Sequence, residues 1–84
     1  MRNKEVAEAF LLNKTAIADT LWCVKGSLFS YTTCIAQLDD RGIIGNSTKY
    51  STTSSRHLGY IKDKITIWTT KPVPRGAADL LEYL

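Results

Sequence analysis

The stretch Lys49-Tyr50-Ser51-Thr52-Thr53-Ser54-Ser55-Arg56-His57 gathers five consecutive hydroxyl residues, two cations, a phenol and an imidazole. It falls where a strand pattern hands over to a helix pattern. At a helix start, free backbone N–H groups, hydroxyls and the cations of Lys49 and Arg56 can converge on a phosphate or carboxylate. The same hydroxyls can instead cap the helix and fold the turn on itself. A cap uses only one or two of the five, which leaves a polar surplus. Lys49, Tyr50, Thr52, Thr53, Ser54, Ser55, Arg56 and His57 are therefore the candidate binding residues, with the capping reading beside the functional one.

Catalysis is poorly served by the same residues. His57 is the only histidine, and its ordinary pKa suits proton transfer near neutrality. Ser54 and Ser55 lie close to it in sequence, but a serine hydrolase also needs an acid behind the imidazole and an oxyanion hole. No G-x-S-x-G occurs, and Gly42 and Gly45 do not make a G-x-x-x-x-G-K-[ST] phosphate loop. Asp39 and Asp40 are adjacent in a turn and point apart into water. Cys23, Cys34 and His57 fall short of a four-ligand zinc set. The expectation is a non-enzymatic protein with no metal and no cofactor.

The Lys49–His57 string, preceded by Gly45-Asn46, resembles a tyrosine, serine, double-threonine, serine, basic, histidine pattern of small proteins of bacteriophages and other mobile elements. The resemblance covers about a dozen positions and carries no assigned chemistry; the doubled Ser54-Ser55 departs from its commoner spelling. It implies a protein that acts stoichiometrically on host machinery, as inhibitors of host defence such as anti-CRISPR proteins do. The partner it implies is a host protein or ribonucleoprotein complex, met in the host cytoplasm. A DNA mimic would be acidic, whereas this chain carries 11 Lys and Arg against 8 Asp and Glu. The alternative is a small nucleic-acid-binding regulator, with Arg41, Lys49, Arg56, Lys62 and Lys64 on phosphates.

These residues need a scaffold, and 84 residues allow one domain, 1–84, around one core. So small a core leaves self-association into a homodimer open. The apolar runs are broken by Asn13, Lys14, Asp19 and Lys25, so none spans a bilayer. The start, Met1 to Glu5, has no signal-peptide apolar run, and the expected compartment is a reducing cytoplasm. Cys23 and Cys34 are accordingly expected reduced and buried, and the sequon Asn46-Ser47-Thr48 is given no weight.

The periodicities predict an α+β fold in the order α-β-β-β-α-β-α, with helices packed on a small antiparallel sheet of about four strands. Val6, Ala9 and Phe10 mark a helix from Asn3 to Leu12, capped by Asn3. Ile17–Val24 and Ser27–Leu38 read as two strands joined by a Lys25-Gly26 hairpin turn. A turn at Asp39-Asp40-Arg41-Gly42 leads to a third strand over Ile43–Tyr50. Leu58, Ile61 and Ile65 place a helix starting near Thr53 or Ser54, with Gly59 against it. Ile65–Thr70 is the fourth strand, with Trp68 in the core. Leu80, Leu81 and Leu84 mark a last helix over Ala77–Leu84.

Overall fold

In the computed structural model, which describes residues 2–50 and 52–84 and not the side chain of Ser54, the chain builds a six-stranded mixed sheet in sequential order. The class is α+β, as the periodicities predict, but the sheet has more strands and the last helix is absent. Each difference has a local cause.

Helix α1 (Asn3–Leu11) buries Val6, Ala7 and Phe10. Burial of side chains this size is worth roughly 1.5–3 kcal/mol each. Its N-cap is Arg2 rather than Asn3, with Glu5 Oε1 accepting from the Arg2 N–H at 3.4 Å. Asn3 becomes the first helical residue, and its side chain turns to another task described below. The helix stops at the Asn13-Lys14 interruption. There Lys14 N–H donates to Ala9 O at 2.9 Å and Asn13 N–H to Phe10 O at 3.0 Å, with Asn13 at φ 57°. This is a Schellman ending, which Asn tolerates better than most side chains.

The expected strand Ile17–Val24 is folded in two. β1 (Ala16–Ile17) and β2 (Leu21–Val24) pair antiparallel, Ala16 with Cys23 and Ile17 with Trp22. The reversal falls at Asp19-Thr20 and is closed by Ala18 N–H donating to Leu21 O at 2.8 Å. Asp is a turn-former, so the signal was present but masked by alternation. The Lys25-Gly26 turn forms as predicted, with φ 50° and 79°, the positive pair of a two-residue hairpin loop.

Ser27–Leu38 is likewise two strands, β3 (Ser27–Ser30) and β4 (Thr33–Asp39), with Ser30 opposite Thr33. Tyr31 turns the corner at φ 58°, a left-handed conformation that an aromatic residue rarely takes. Two neighbours hold it there: Tyr31 N–H donates to Thr20 O at 2.7 Å, and Trp22 Nε1–H donates to Tyr31 O at 2.6 Å. The turns at 19–20 and 31–32 thus brace each other.

The Asp40-Arg41 turn leads into β5 (Gly42–Gly45), which is shorter than the Ile43–Tyr50 expectation. Residues 46–50 continue as an extended loop. Helix α2 (Thr52–Gly59) starts at Thr52 and ends at Gly59 rather than running on to Ile65; a 3-10 turn, Lys62–Lys64, follows. That start is one or two residues ahead of the expected Thr53 or Ser54, and the residue before it lies outside the described residues. β6 (Ile67–Trp68) is the core of the Ile65–Thr70 run and pairs parallel with β5.

Alternation separates two apolar layers. Leu21, Cys23, Leu28 and Ala36 meet α1 and Ile61 on one face, while Phe29, Cys34 and Ile44 meet Val73 and Leu80 on the other. Trp22 and Phe29, paired across β2 and β3, stack at 4.1 Å between ring centroids.

The second layer is made by the C-terminal segment, which is not the helix expected over Ala77–Leu84 but an irregular strap ending in a 3-10 turn, Leu81–Tyr83. Its backbone bonds are used outward. Cys34 N–H donates to Ala77 O at 2.8 Å, Gly76 N–H to Thr33 Oγ1 at 2.8 Å, and Leu80 N–H to Gln37 Oε1 at 2.8 Å. Groups committed to β4 and its flanks cannot also close a helix. Leu80 is buried as expected and Leu81 is exposed. Among the described residues no helix is long and apolar enough to cross a membrane.

Candidate functional site

The eight candidate residues separate into three environments. Thr52, Thr53, Ser55 and Arg56 are exposed on α2 and Lys49 is exposed on the loop before it, whereas His57 is buried and Tyr50 half-buried. The side chain of Ser54 lies outside the described residues. His57 therefore does not face outward with Lys49 and Arg56.

His57 closes the space beneath the two braced turns. Its Nδ1 lies 2.8 Å from Ser30 Oγ, and its Nε2 lies 3.3 Å from both Asn3 Nδ2 and Thr20 Oγ1. An amide nitrogen can only donate, so with Asn3 placed this way Nε2 accepts and Nδ1–H donates to Ser30. The ring is thus a neutral peg that fastens α2 to α1, to the 19–20 turn and to the end of β3. Burial lowers its pKa from the ordinary histidine value, and the adjacent charge of Arg56 lowers it further. Sequence proximity pointed to Ser54 and Ser55 as its neighbours; the fold brings Ser30 instead. Serine, imidazole and an orienting amide repeat the order of a nucleophile, base and positioner. Here, however, Ser30 is 2% exposed and His57 1%, so both are covered by the surrounding fold.

Tyr50 is also structural. Its hydroxyl donates to Val73 O at 2.5 Å and accepts from Asn46 Nδ2 at 2.9 Å, while Arg75 Nη2 donates to Tyr50 O at 3.2 Å. Asn46, 2% exposed, also donates to Cys34 O at 3.0 Å and accepts from Thr48 N–H at 2.9 Å. An amide so occupied is no glycan acceptor, and the sequon is a coincidence of sequence. Ser47 and Thr69 exchange further bonds, with Ser47 Oγ donating to Thr69 O at 2.7 Å. Thr48 Oγ1 accepts from Val73 N–H at 2.9 Å. The loop 46–50 is consequently a rigid wall.

That wall, α2 and β6 enclose a groove of about 230 Å³. Ile35 and Leu58 supply apolar lining, Ser55 and Gly59 come from α2, and Lys49, Lys62 and Trp68 complete it. Trp68 is the clearest correction to the sequence reading. It is 38% exposed rather than in the core, because β6 is the sheet's edge strand and the helices lie over the strands before it. Its ring rests on Gly45, where a Cβ would come within 2.9 Å of Trp68 Cζ3 and 2.7 Å of Ile65 Cγ2. A glycine here is what lets Trp68 and Ile65 approach the strand so closely.

Among the described residues no carboxylate lies within ion-pair distance of Lys49, Arg56, Lys62 or Lys64. Arg41 differs: its Nε donates to Asp39 at 2.9 Å, so it leaves the set of cations grouped with Lys49 in the sequence reading. The groove thus combines two available ammonium groups, a partly bared indole and a hydroxyl from Ser55. Of the lining residues, Lys62 was named in the sequence reading only as a phosphate contact of the nucleic-acid alternative, Leu58 only as a helix-stripe residue, and Trp68 was placed in the core. The Leu58 and Ile61 periodicity located the helix, but only the fold shows that β6 ends beside it.

Residues 3–71 match a family of unknown function (DUF8033), and the chain belongs to that family. No curated protein and no solved structure matches it.

Proposed function

We propose that this protein is a non-enzymatic binding protein of the phage-accessory type, which docks on a host protein or ribonucleoprotein in the cytoplasm and blocks it, as anti-CRISPR proteins do. The groove bounded by Lys49, Ser55, Lys62 and Trp68 is its contact surface. One observation carries the reading: available cations and a bared indole share a preformed concave site, while the only imidazole is sealed away as a structural peg. Preformed sites lined by apolar surface with a few convergent polar groups are where ligands bind. A rigid wall also lowers the ordering cost of association.

The proposal revises the expected contact surface. Lys49, Tyr50 and Ser55 remain in it, Thr52, Thr53 and Arg56 lie on the exposed surface of α2, and His57 is buried outside its lining. Affinity capture from host lysate, with and without nuclease, tests the reading. A stoichiometric partner held by the wild type and lost on Lys49→Glu with Lys62→Glu supports it. Undiminished capture by that folded double variant contradicts it.

A further inference from the structure

We infer that the groove takes an unpaired nucleotide, its base stacked on Trp68 and its phosphate held by Lys49 and Lys62. This rests on the reading of the groove as the contact surface and adds the chemistry of what enters it.

The first argument is the inventory of what is available. The side chains of Asn46 and Ser47 and the Tyr50 hydroxyl are engaged within the protein, and Thr48 Oγ1 accepts from Val73 N–H. Among the described residues, the other lining side chains are Lys49, Lys62 and Ser55, with apolar surface from Ile35, Leu58 and Trp68. The complementary ligand is an anion attached to a flat apolar body. A nucleotide has that composition, and aromatic stacking beside a basic track is how single strands are held without reading their sequence. Because the Asn46 amide and the Ser47 and Tyr50 hydroxyls are engaged within the protein, and the one hydroxyl of Ser55 cannot read a base edge with two bonds, binding should be nearly indifferent to base identity.

The second argument is size and surroundings. About 230 Å³ is below the roughly 300–1,000 Å³ of pockets for drug-sized molecules, which suits one ring system with its anion. Continuation of the strand beyond it meets further positive charge: Arg56 and Lys64 are exposed on α2 and on the 3-10 turn that carries Lys62. An acidic peptide would find the cations but would leave the indole face without a planar partner.

The experiment uses the full chain carrying Trp22→Phe, so that Trp68 is the sole tryptophan, titrated with oligothymidylate and oligoadenylate of about ten nucleotides, within the usual site size of such proteins. Expected are quenching of the indole emission, similar affinities for the two oligomers, and weakening as salt rises. Trp68→Ala, followed by anisotropy of a labelled oligomer, should weaken binding about 10-fold or more, and Trp68→Phe should restore most of it. Lys49→Glu or Lys62→Glu should each weaken binding and flatten the salt dependence by about one charge. Absence of binding at low salt by the folded protein, or binding unchanged in all of these variants, overturns the inference. So does tighter binding of oligoglutamate than of either oligonucleotide. If oligonucleotides fail while Lys49→Glu with Lys62→Glu still abolishes capture of a nuclease-treated partner, the nucleotide falls and the contact surface stands. If capture too is insensitive, the contact surface itself falls.

Discussion

Ser30 Oγ and His57 Nδ1 lie 2.8 Å apart across 27 residues of sequence, and this contact fastens α2, with one side of the groove, to the sheet. Burial favours the neutral ring, whose Nε2 can accept from Asn3 as that amide is placed. Its folded-state pKa is lowered from 6.5, first by burial and then by Arg56. The unfolded chain therefore binds a proton first as pH falls. The contribution to stability is fully present above about pH 6.5 and is lost as pH falls below that toward the lowered folded value. Urea midpoints at about pH 7.5 and pH 5.5 should differ in that direction. His57→Gln should remove the part of the difference that comes from this ring.

The two thiols should be inert in the native protein. Cys23 and Cys34 are free and buried, separated by β3 and set in opposite apolar layers. Burial pushes the Cys34 thiol up to about 12 and raises that of Cys23 as well. Because the thiolate is the reactive form, thiol titration at about pH 8 should show slow reaction of both, and rapid reaction of both in denaturant. A fast native thiol would contradict this placement.

Gly45 and Trp68 form a unit, and their variants should behave unlike core substitutions. Trp68→Ala should cost about 1–2 kcal/mol, less than the roughly 3–5 kcal/mol of a fully buried aromatic. Gly45→Ala should cost about 1–3 kcal/mol, because the added methyl collides with Ile65 and Trp68. The second variant should also move the indole off its seat, seen as a red-shifted emission with Trp22→Phe in the background. Equal emission from the Trp22→Phe protein with and without Gly45→Ala would count against the packing described.

Asn46→Ala should be among the most damaging single changes at the site. It removes the partner of Cys34 O, of Thr48 N–H and of the Tyr50 hydroxyl at once. Each buried group left unsatisfied costs about 1–3 kcal/mol. A loss well above 2 kcal/mol in chemical denaturation is expected, whereas Asn46→Asp should keep some of the bonds and cost less.

Arg56→Glu separates the surface from the scaffold. Arg56 is exposed, so its reversal should change stability by no more than about 0.5 kcal/mol at neutral pH. It should reduce partner binding less than reversal of Lys49 or Lys62, which line the groove. Removing its positive charge should also raise the His57 pKa, narrowing the pH window of the first prediction. Unfolding of the variant would make Arg56 structural.

The end of α1 and two of the turns were legible in the sequence because their chemistry is local: Asn13-Lys14, Lys25-Gly26 and Asp39 to Gly42 each close where their residues demand. The Tyr31 corner was not, since a left-handed aromatic depends on Thr20 O and on the Trp22 indole N–H, contacts made only after folding. Trp68 shows the converse limit. Its strand propensity was read correctly, but its burial depends on whether another element lies over β6. For the same reason Lys49, Ser55 and Lys62 could be named from the sequence, while the meeting of Lys62 and Trp68 in one groove depends on the parallel pairing of β6 with β5.

The measurement that tests the central claim most directly is the affinity of the captured, purified partner for the wild type and for three folded charge reversals: Lys49→Glu, Lys62→Glu, and Lys25→Glu at the exposed Lys25-Gly26 turn. Loss of about 10-fold or more, ~1.4 kcal/mol, for each groove lysine with no change for Lys25 is the predicted result. Equal affinity of all four proteins, or loss only with Lys25→Glu, would place the functional surface elsewhere and contradict the account.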